Sequence, residues 1–124
     1  MGIDYGTKRV GVAFSDEGGA MAFPYGVLKN DGELAHTLAA LARKERVGAI
    51  VFGRSHDLAG NDNPVMGQAT VCADALHEML AIPVYFESEV YSTQEALREQ
   101  GRTPLTDASA AAIILNSYLM KHRS

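Results

Sequence analysis

The apolar residues of this 124-residue chain change their spacing near residue 30. Before that point Val10, Val12 and Phe14 occupy alternate positions, which is the period-two pattern of a β-strand. Beyond it, leucines recur at the three- and four-residue spacing of a buried helix face, at Leu34, Leu38 and Leu41. The chain therefore joins a segment of consecutive strands to a segment that contains helices, and few folds accommodate both.

The apolar patterns, together with the turn and cap residues between them, predict the element order β-β-β-α-β-α-β-α-α. Strands are predicted at residues 2–5, from residue 9, and at 20–27, 49–52 and 82–86. Helices are predicted to begin near residue 31, at 63–64, at the capping box of residues 92–95, and after a cap at Thr106. The first three strands should pair antiparallel across short turns, and the later strands should pair parallel through right-handed crossovers.

This order predicts an α/β fold built on a mixed five-stranded sheet, three antiparallel strands followed by parallel strands, flanked by helices. The ribonuclease H-like fold is the leading architecture that combines these two halves. Because domains usually contain roughly 100–200 residues, we expect residues 1–124 to form a single domain.

Composition excludes several classes of protein. The single cysteine, Cys72, excludes an internal disulfide framework and a four-cysteine zinc site. No apolar run approaches the roughly 20 residues that a membrane span requires. No secretory signal opens the chain, so we expect a cytoplasmic protein with no membrane partner. The formal charge of −4 argues weakly against nucleic-acid binding by net charge, although a local basic patch can override it.

Carboxylates fall where this architecture brings strand ends together: Asp4, Glu87, Glu89 and Asp107. Ligands of open α/β sheets gather beyond the carboxyl ends of the strands. Acidic groups that meet there repel one another unless a cation lies between them, and Mg²⁺ or Mn²⁺ suits an all-oxygen site. Each residue also has a structural interpretation, since Asp4 could bond turn amides and Asp107 could stabilise a helix start.

Four segments resemble the YqgF-like family, also called RuvX, in the right order over nearly the whole chain. They are residues 2–13 (GIDYGTKRVGVA), 50–53 (IVFG), 92–96 (STQEA) and 107–115 (DASAAAIIL). Members of that family are described as Holliday junction resolvases and as nucleases that process pre-16S ribosomal RNA. The resemblance implies a ribonuclease H-like fold and a metal-dependent endonuclease that acts on structured nucleic acid, at the 5′ end of pre-16S rRNA or at Holliday junctions.

The resemblance also implies the site residues. The family's catalytic and metal-binding carboxylates correspond to Asp4, Glu89 and Asp107, with Mg²⁺ or Mn²⁺ as cofactor and Glu87 as a neighbour that could substitute. The chain departs from the family pattern at Ser88, which replaces an aspartate, and at Val90, which replaces an arginine. It also departs in the loop after Gly53, where Arg54 and Ser55 stand in place of the family's Leu-Pro.

Basic residues flank these carboxylates in the sequence and are predicted to hold precursor rRNA or branched DNA: Lys8, Arg9, Arg54, Arg98 and Arg102. Arg54 is our candidate to replace the charge missing at Val90. For any one of these side chains the alternative is a solvated surface charge.

Two other functions compete with the nuclease. A non-catalytic nucleic-acid-binding module of the same fold would explain the departures at Ser88 and Val90. A small ATP-binding domain of the actin and sugar-kinase type would explain residues 4–7 followed by Gly11. Because those enzymes close two such domains around nucleotide, the length of the chain argues against the second alternative.

Overall fold

The computed structural model describes residues 1–6, 8–16, 21–54, 65–88 and 104–121. In chain order its elements are β1 (Gly2–Tyr5), β2 (Arg9–Ser15), β3 (Ala22–Lys29), α1 (Leu34–Lys44), β4 (Ile50–Arg54), α2 (Val65–Leu80), β5 (Val84–Ser88) and α3 (Pro104–Lys121). Among these described elements, no helix is long and apolar enough to cross a membrane.

The five strands form one mixed sheet in the order β3-β2-β1-β4-β5. β1 pairs antiparallel with β2, and β2 pairs antiparallel with β3. β4 pairs parallel with both β1 and β5. The predicted mixed sheet is therefore confirmed, with the amino-terminal hairpins on one side of β1 and the parallel strands on the other.

The two faces of the sheet bury different side chains, as the alternation of each strand requires. One face packs Val10, Val12 and Phe52 against the leucine and alanine stripes of α1 and α2. The other face is built from smaller residues, including Ala13 and Ala22, and packs against Ala111 and the neighbouring apolar residues of α3. We call this second face the α3 face.

Several element boundaries differ from the prediction. β3 continues to Lys29, because its pairing with β2 extends until Lys29 meets Arg9. β4 includes Gly53 and Arg54, and β5 is shifted to Val84–Ser88, because these two strands pair with each other to their ends. Gly53 lies beyond the predicted strand at 49–52, and its pairing with Glu87 brings it into the sheet.

The helix starts also differ from the prediction where they can be compared. α3 begins at Pro104, so Thr106 lies in its first turn instead of capping it, which agrees with the preference of proline for a first helical position. In α1 the Asp31 carboxylate accepts a hydrogen bond of 2.9 Å from the Glu33 amide, and the helix begins at Leu34. The predicted cap at 63–64 and the predicted helix at 92–101 lie outside the described residues.

Candidate active site

Asp4 lies on β1 with only 9% of its surface exposed, and glycines stand beside it on both neighbouring strands. On β2 its direct partner is Gly11. On β4 the register pairs Ile3 with Phe52, so the next position places Gly53 beside Asp4. Because neither glycine has a side chain, the carboxylate of Asp4 stands between two gaps in the surface of the sheet.

Asp4 belongs to the α3 face, and the path of α3 brings Asp107 to the same end of the sheet. A Cβ atom added to Gly2 would lie 2.7 Å from the carbonyl oxygen of Ala111 and 2.8 Å from Leu115 Cβ, so Gly2 points at α3. Asp4 is two residues after Gly2 on the same face, about 6.6 Å further along the strand. A helix covers that distance in about four residues.

The direction of α3 decides which four residues these are. A cavity at the start of β1 is lined by Met1. The carboxyl-terminal part of α3 lines the same cavity with Leu115, Tyr118 and Leu119. Along β1, the later residues of α3 therefore lie towards Met1, and the helix turn that precedes Ala111 lies towards Asp4. Asp107 is in that turn, so its backbone lies towards the carboxyl end of β1.

Glu87 occupies the same row of the sheet as Asp4, one strand beyond Gly53, with which it pairs. Its carboxylate is buried, with 5% of the residue exposed, and Oε1 accepts a hydrogen bond of 3.1 Å from Ser117 Oγ. The same oxygen also accepts a hydrogen bond from Lys121 Nζ, which forms a salt bridge with it. Glu87 thus holds β5 against the carboxyl-terminal half of α3.

Aromatic stacking extends this contact between β5 and α3. The rings of Tyr85 and Tyr118 stack with their centroids 5.3 Å apart. Removal from water raises the pKa of Tyr118, and the nearby Tyr85 and Glu87 raise that pKa further. The strand that leads towards residue 89 is therefore fixed to the helix that carries Asp107.

The basic residues predicted to hold nucleic acid are described in part. Lys8 is exposed just before β2, and Arg9 is the first, half-exposed residue of β2. Arg9 lies two residues from Gly11 on the α3 face, diagonal to Asp4, and residues in this relationship are usually about 7–8 Å apart. Arg54 ends β4, in line with Ser88 on β5.

The remaining predicted site residues, Glu89, Arg98 and Arg102, lie outside the described residues, as do the side chains of Arg54 and Asp107. Within the described part of the chain, no group of three metal-ligating side chains comes together. The roles of Asp4, Glu89 and Asp107 in catalysis and metal binding remain predictions, and the fold places the backbones of Asp4 and Asp107 at one end of the sheet.

Comparison with known proteins gives the family. The model of the family described as RuvX, Holliday junction resolvase, matches residues 1–121. A protein of Nitratidesulfovibrio vulgaris named "Putative pre-16S rRNA nuclease" is 39% identical over 131 residues, covering 96% of this chain and 91% of the relative. The chain belongs to the RuvX family. A protein of the same name from Syntrophomonas wolfei is 35% identical, covering 96% of this chain and 92% of its own.

Solved structures agree with this membership at the level of the fold. The RuvX chain superposes on Thermus thermophilus RuvC in complex with Holliday junction substrate with a TM-score of 0.67 and 18% sequence identity. That match covers 97% of this chain and 92% of RuvC. The likeness confirms the predicted ribonuclease H-like fold.

Sequence reasoning missed two features of this RuvX site. The pairing of Glu87 with Ser117 and Lys121 joins residues about 30 positions apart, and no local pattern indicates it. Lys29 was placed after the end of its strand, although it is the direct cross-strand partner of Arg9.

Proposed function

We propose that this protein is a nuclease that hydrolyses phosphodiester bonds in structured RNA, with the 5′ end of precursor 16S rRNA as its substrate. Membership of the RuvX family supports nuclease activity. The choice of RNA follows the curated relatives at 30–39% identity, which carry the name pre-16S rRNA nuclease. A branched DNA substrate is the alternative that the family description suggests.

The observation that carries this proposal is the setting of Asp4. The residue is nine-tenths buried at the end of the central strand, and both positions beside it are glycine. A buried carboxylate needs partners that offset the loss of water, such as hydrogen-bond donors or a cation. The missing side chains of Gly11 and Gly53 leave room for a phosphate group to approach the same surface.

The donor chemistry fits Mg²⁺ or Mn²⁺, because these hard cations prefer carboxylate oxygen. Asp4 would hold the ion together with Asp107, whose backbone lies at the same end of the sheet, and with Glu89. When bound, the cation supplies positive charge against the scissile phosphate and the attacking water. Arg9 and Lys8 would bind the phosphates on either side and orient the backbone for in-line attack.

The test uses an end-labelled RNA hairpin that carries a single-stranded 5′ extension, and in parallel a four-way DNA junction. Each is incubated with Mg²⁺, with Mn²⁺ or with a chelator. The proposal predicts metal-dependent cleavage of the RNA at a defined position. Cleavage of the junction alone would contradict the proposed substrate while leaving the protein a nuclease.

Binding of RNA without cleavage would instead favour the non-catalytic module. Ser88 and Val90 are then the residues to examine, since both differ from the family pattern. The double variant Ser88→Asp, Val90→Arg restores the family residues. Cleavage that appears only in this variant would show that the fold has kept its binding role and that these two positions removed the chemistry.

A further inference from the structure

The last pair of the β2–β3 ladder places two cations opposite each other. Arg9 and Lys29 are direct partners in this antiparallel pair, and Lys29 is exposed. Directly opposed like charges destabilise a sheet, because their side chains stand only about 5 Å apart. The sequence nevertheless puts positive charge on both strands at this end, next to the turn that carries Lys8.

Lys29 lies on the same face of the sheet as Asp4. Side chains of directly paired residues point to one face, and Gly2 with its partner Ala13 identifies that face as the one that α3 covers. Arg9 is four residues from Ala13 along β2, so it belongs to the α3 face, and its partner Lys29 does too. The cations therefore border the surface into which the Asp4 carboxylate is set.

Asn30 fixes this end of β3 to the turn between β1 and β2. Its side-chain Nδ2 donates a hydrogen bond of 2.7 Å to the carbonyl oxygen of Gly6, and its backbone N–H donates one of 3.0 Å to the carbonyl oxygen of Lys8. These two bonds hold the backbones of Lys8 and Lys29 at a constant separation. We call Lys8, Arg9 and Lys29 together the basic edge.

Asp31, the acidic residue that follows Lys29 most closely in the sequence, lies on the other side of the sheet from Arg9 and Lys29. Asp31 lines a groove with Tyr5, Leu34 and Val71, on the face that α1 and α2 cover. Its carboxylate accepts a hydrogen bond from the Glu33 amide. The whole chain has a formal charge of −4, so its net charge repels a polyanion. Arg9 and Lys29 on the α3 face form a local positive patch that attracts a polyanion to this end of the molecule.

We propose that Lys29 is a nucleic-acid-binding residue that contacts a backbone phosphate of the substrate strand as that strand passes from the basic edge to Asp4. The proposal rests on the proposed nuclease function and extends it to a residue on β3. A phosphate that lies between Arg9 and Lys29 would be attracted by both side chains.

The test compares Lys29→Gln with Lys44→Gln, which removes the same charge from an exposed lysine in the last turn of α1. That turn leads to Glu45 and Arg46, which border the cavity beside Met1, at the opposite end of the sheet. Binding of the fluorescent RNA hairpin is measured without divalent cations over a series of salt concentrations, so that cleavage does not compete.

Lys29→Gln is expected to weaken binding about three- to tenfold at low salt and to lower the slope of log K against log salt by about 0.7–0.9. Lys44→Gln should leave the slope unchanged, and Lys29→Arg should retain wild-type binding. Thermal unfolding of Lys29→Gln at the wild-type temperature would show that the variant keeps its fold.

Two failures are distinguishable. If the wild-type protein neither binds nor cleaves RNA or junction DNA, the proposed function is wrong. If the wild-type protein binds RNA and the slopes of Lys29→Gln and Lys44→Gln are equal, the role of Lys29 is wrong and the proposed function stands.

Discussion

The buried carboxylate of Glu87 on β5 pairs with the ammonium group of Lys121 in the last turn of α3, 34 residues later in the chain. Ser117, one turn earlier on the helix, donates a second hydrogen bond to the same oxygen. This contact joins the edge strand that leads to Glu89 with the helix whose first turn contains Asp107. The geometry of the candidate site therefore depends on a polar contact that involves neither of those two residues.

Removing the positive partner should destabilise the protein. In Lys121→Met the Glu87 carboxylate stays buried and loses its cationic partner while Ser117 still donates to it, and we expect the free energy of unfolding to fall by about 1–2 kcal/mol, because Lys121 is itself 60% exposed. Urea unfolding measures the change. Lys44→Met is the matched control on α1, and equal stability of the two variants would contradict the pairing.

Gly2 should tolerate no side chain. A methyl group there would lie within 2.7–2.8 Å of Ala111 and Leu115, so Gly2→Ala must push α3 away from β1. The expected cost is about 1–3 kcal/mol in free energy of unfolding.

Gly67 in α2 provides the control, since a Cβ atom added there meets nothing within 4 Å. Gly67→Ala should raise the free energy of unfolding by about 0.5–1 kcal/mol, because alanine is the better helix former. If Gly2→Ala were also neutral or stabilising, the close contact between β1 and α3 would be wrong.

Two helices end on a residue with a left-handed backbone. Arg46 follows α1 and Ala81 follows α2, each with φ of 55°. Glycine adopts this conformation without the steric cost that a Cβ atom imposes. Ala81→Gly should therefore raise the free energy of unfolding by about 0.5–1 kcal/mol, and the melting temperature should rise with it. Ala40→Gly inside α1 should lower the free energy of unfolding by about 1 kcal/mol.

Cys72 should make stability fall at alkaline pH. Burial raises the pKa of its thiol from 9.0 to about 11. Between these values the unfolded chain loses the thiol proton and the folded chain keeps it, so ionisation favours unfolding. The free energy of unfolding should therefore fall as the pH rises through this interval.

The comparison is made with Cys72→Ala, in which that dependence should disappear. In the folded wild-type protein the thiol should also react slowly with a disulfide reagent at pH 8 and should react readily once the chain is unfolded. A fast reaction of the folded protein would contradict the burial of Cys72 at 8% exposure.

The sequence predicts the fold well because the local patterns agree with the tertiary structure. Alternating apolar residues in β2 and the leucine stripe of α1 correspond to the two sides of one core. The same patterns misplace the ends of β3, β4 and β5, since these ends depend on pairing with another strand. Lys29 and Gly53 lie beyond the predicted ends of their strands. They belong to the sheet because Lys29 pairs with Arg9 and Gly53 pairs with Glu87.

The candidate site is only partly predictable for a similar reason. Asp4 can be recognised from the glycine-rich segment around it, and the family resemblance adds Glu89 and Asp107. The two glycines beside Asp4 come from different strands, so their adjacency appears only with the register of the sheet. The charge partners of Glu87 lie on a distant helix, and no sequence spacing reveals them.

The central claim is that Asp4 serves a metal-dependent nuclease, and the most direct measurement is RNA cleavage by Asp4→Asn in Mg²⁺ or Mn²⁺. Asparagine keeps the shape of the side chain and removes its charge. Asp74→Asn, on the exposed side of α2, removes an equal charge elsewhere. We expect Asp4→Asn to lose cleavage at least about a hundredfold while still binding RNA, and Asp74→Asn to cleave like the wild type. Cleavage by Asp4→Asn at the wild-type rate would contradict this role of Asp4.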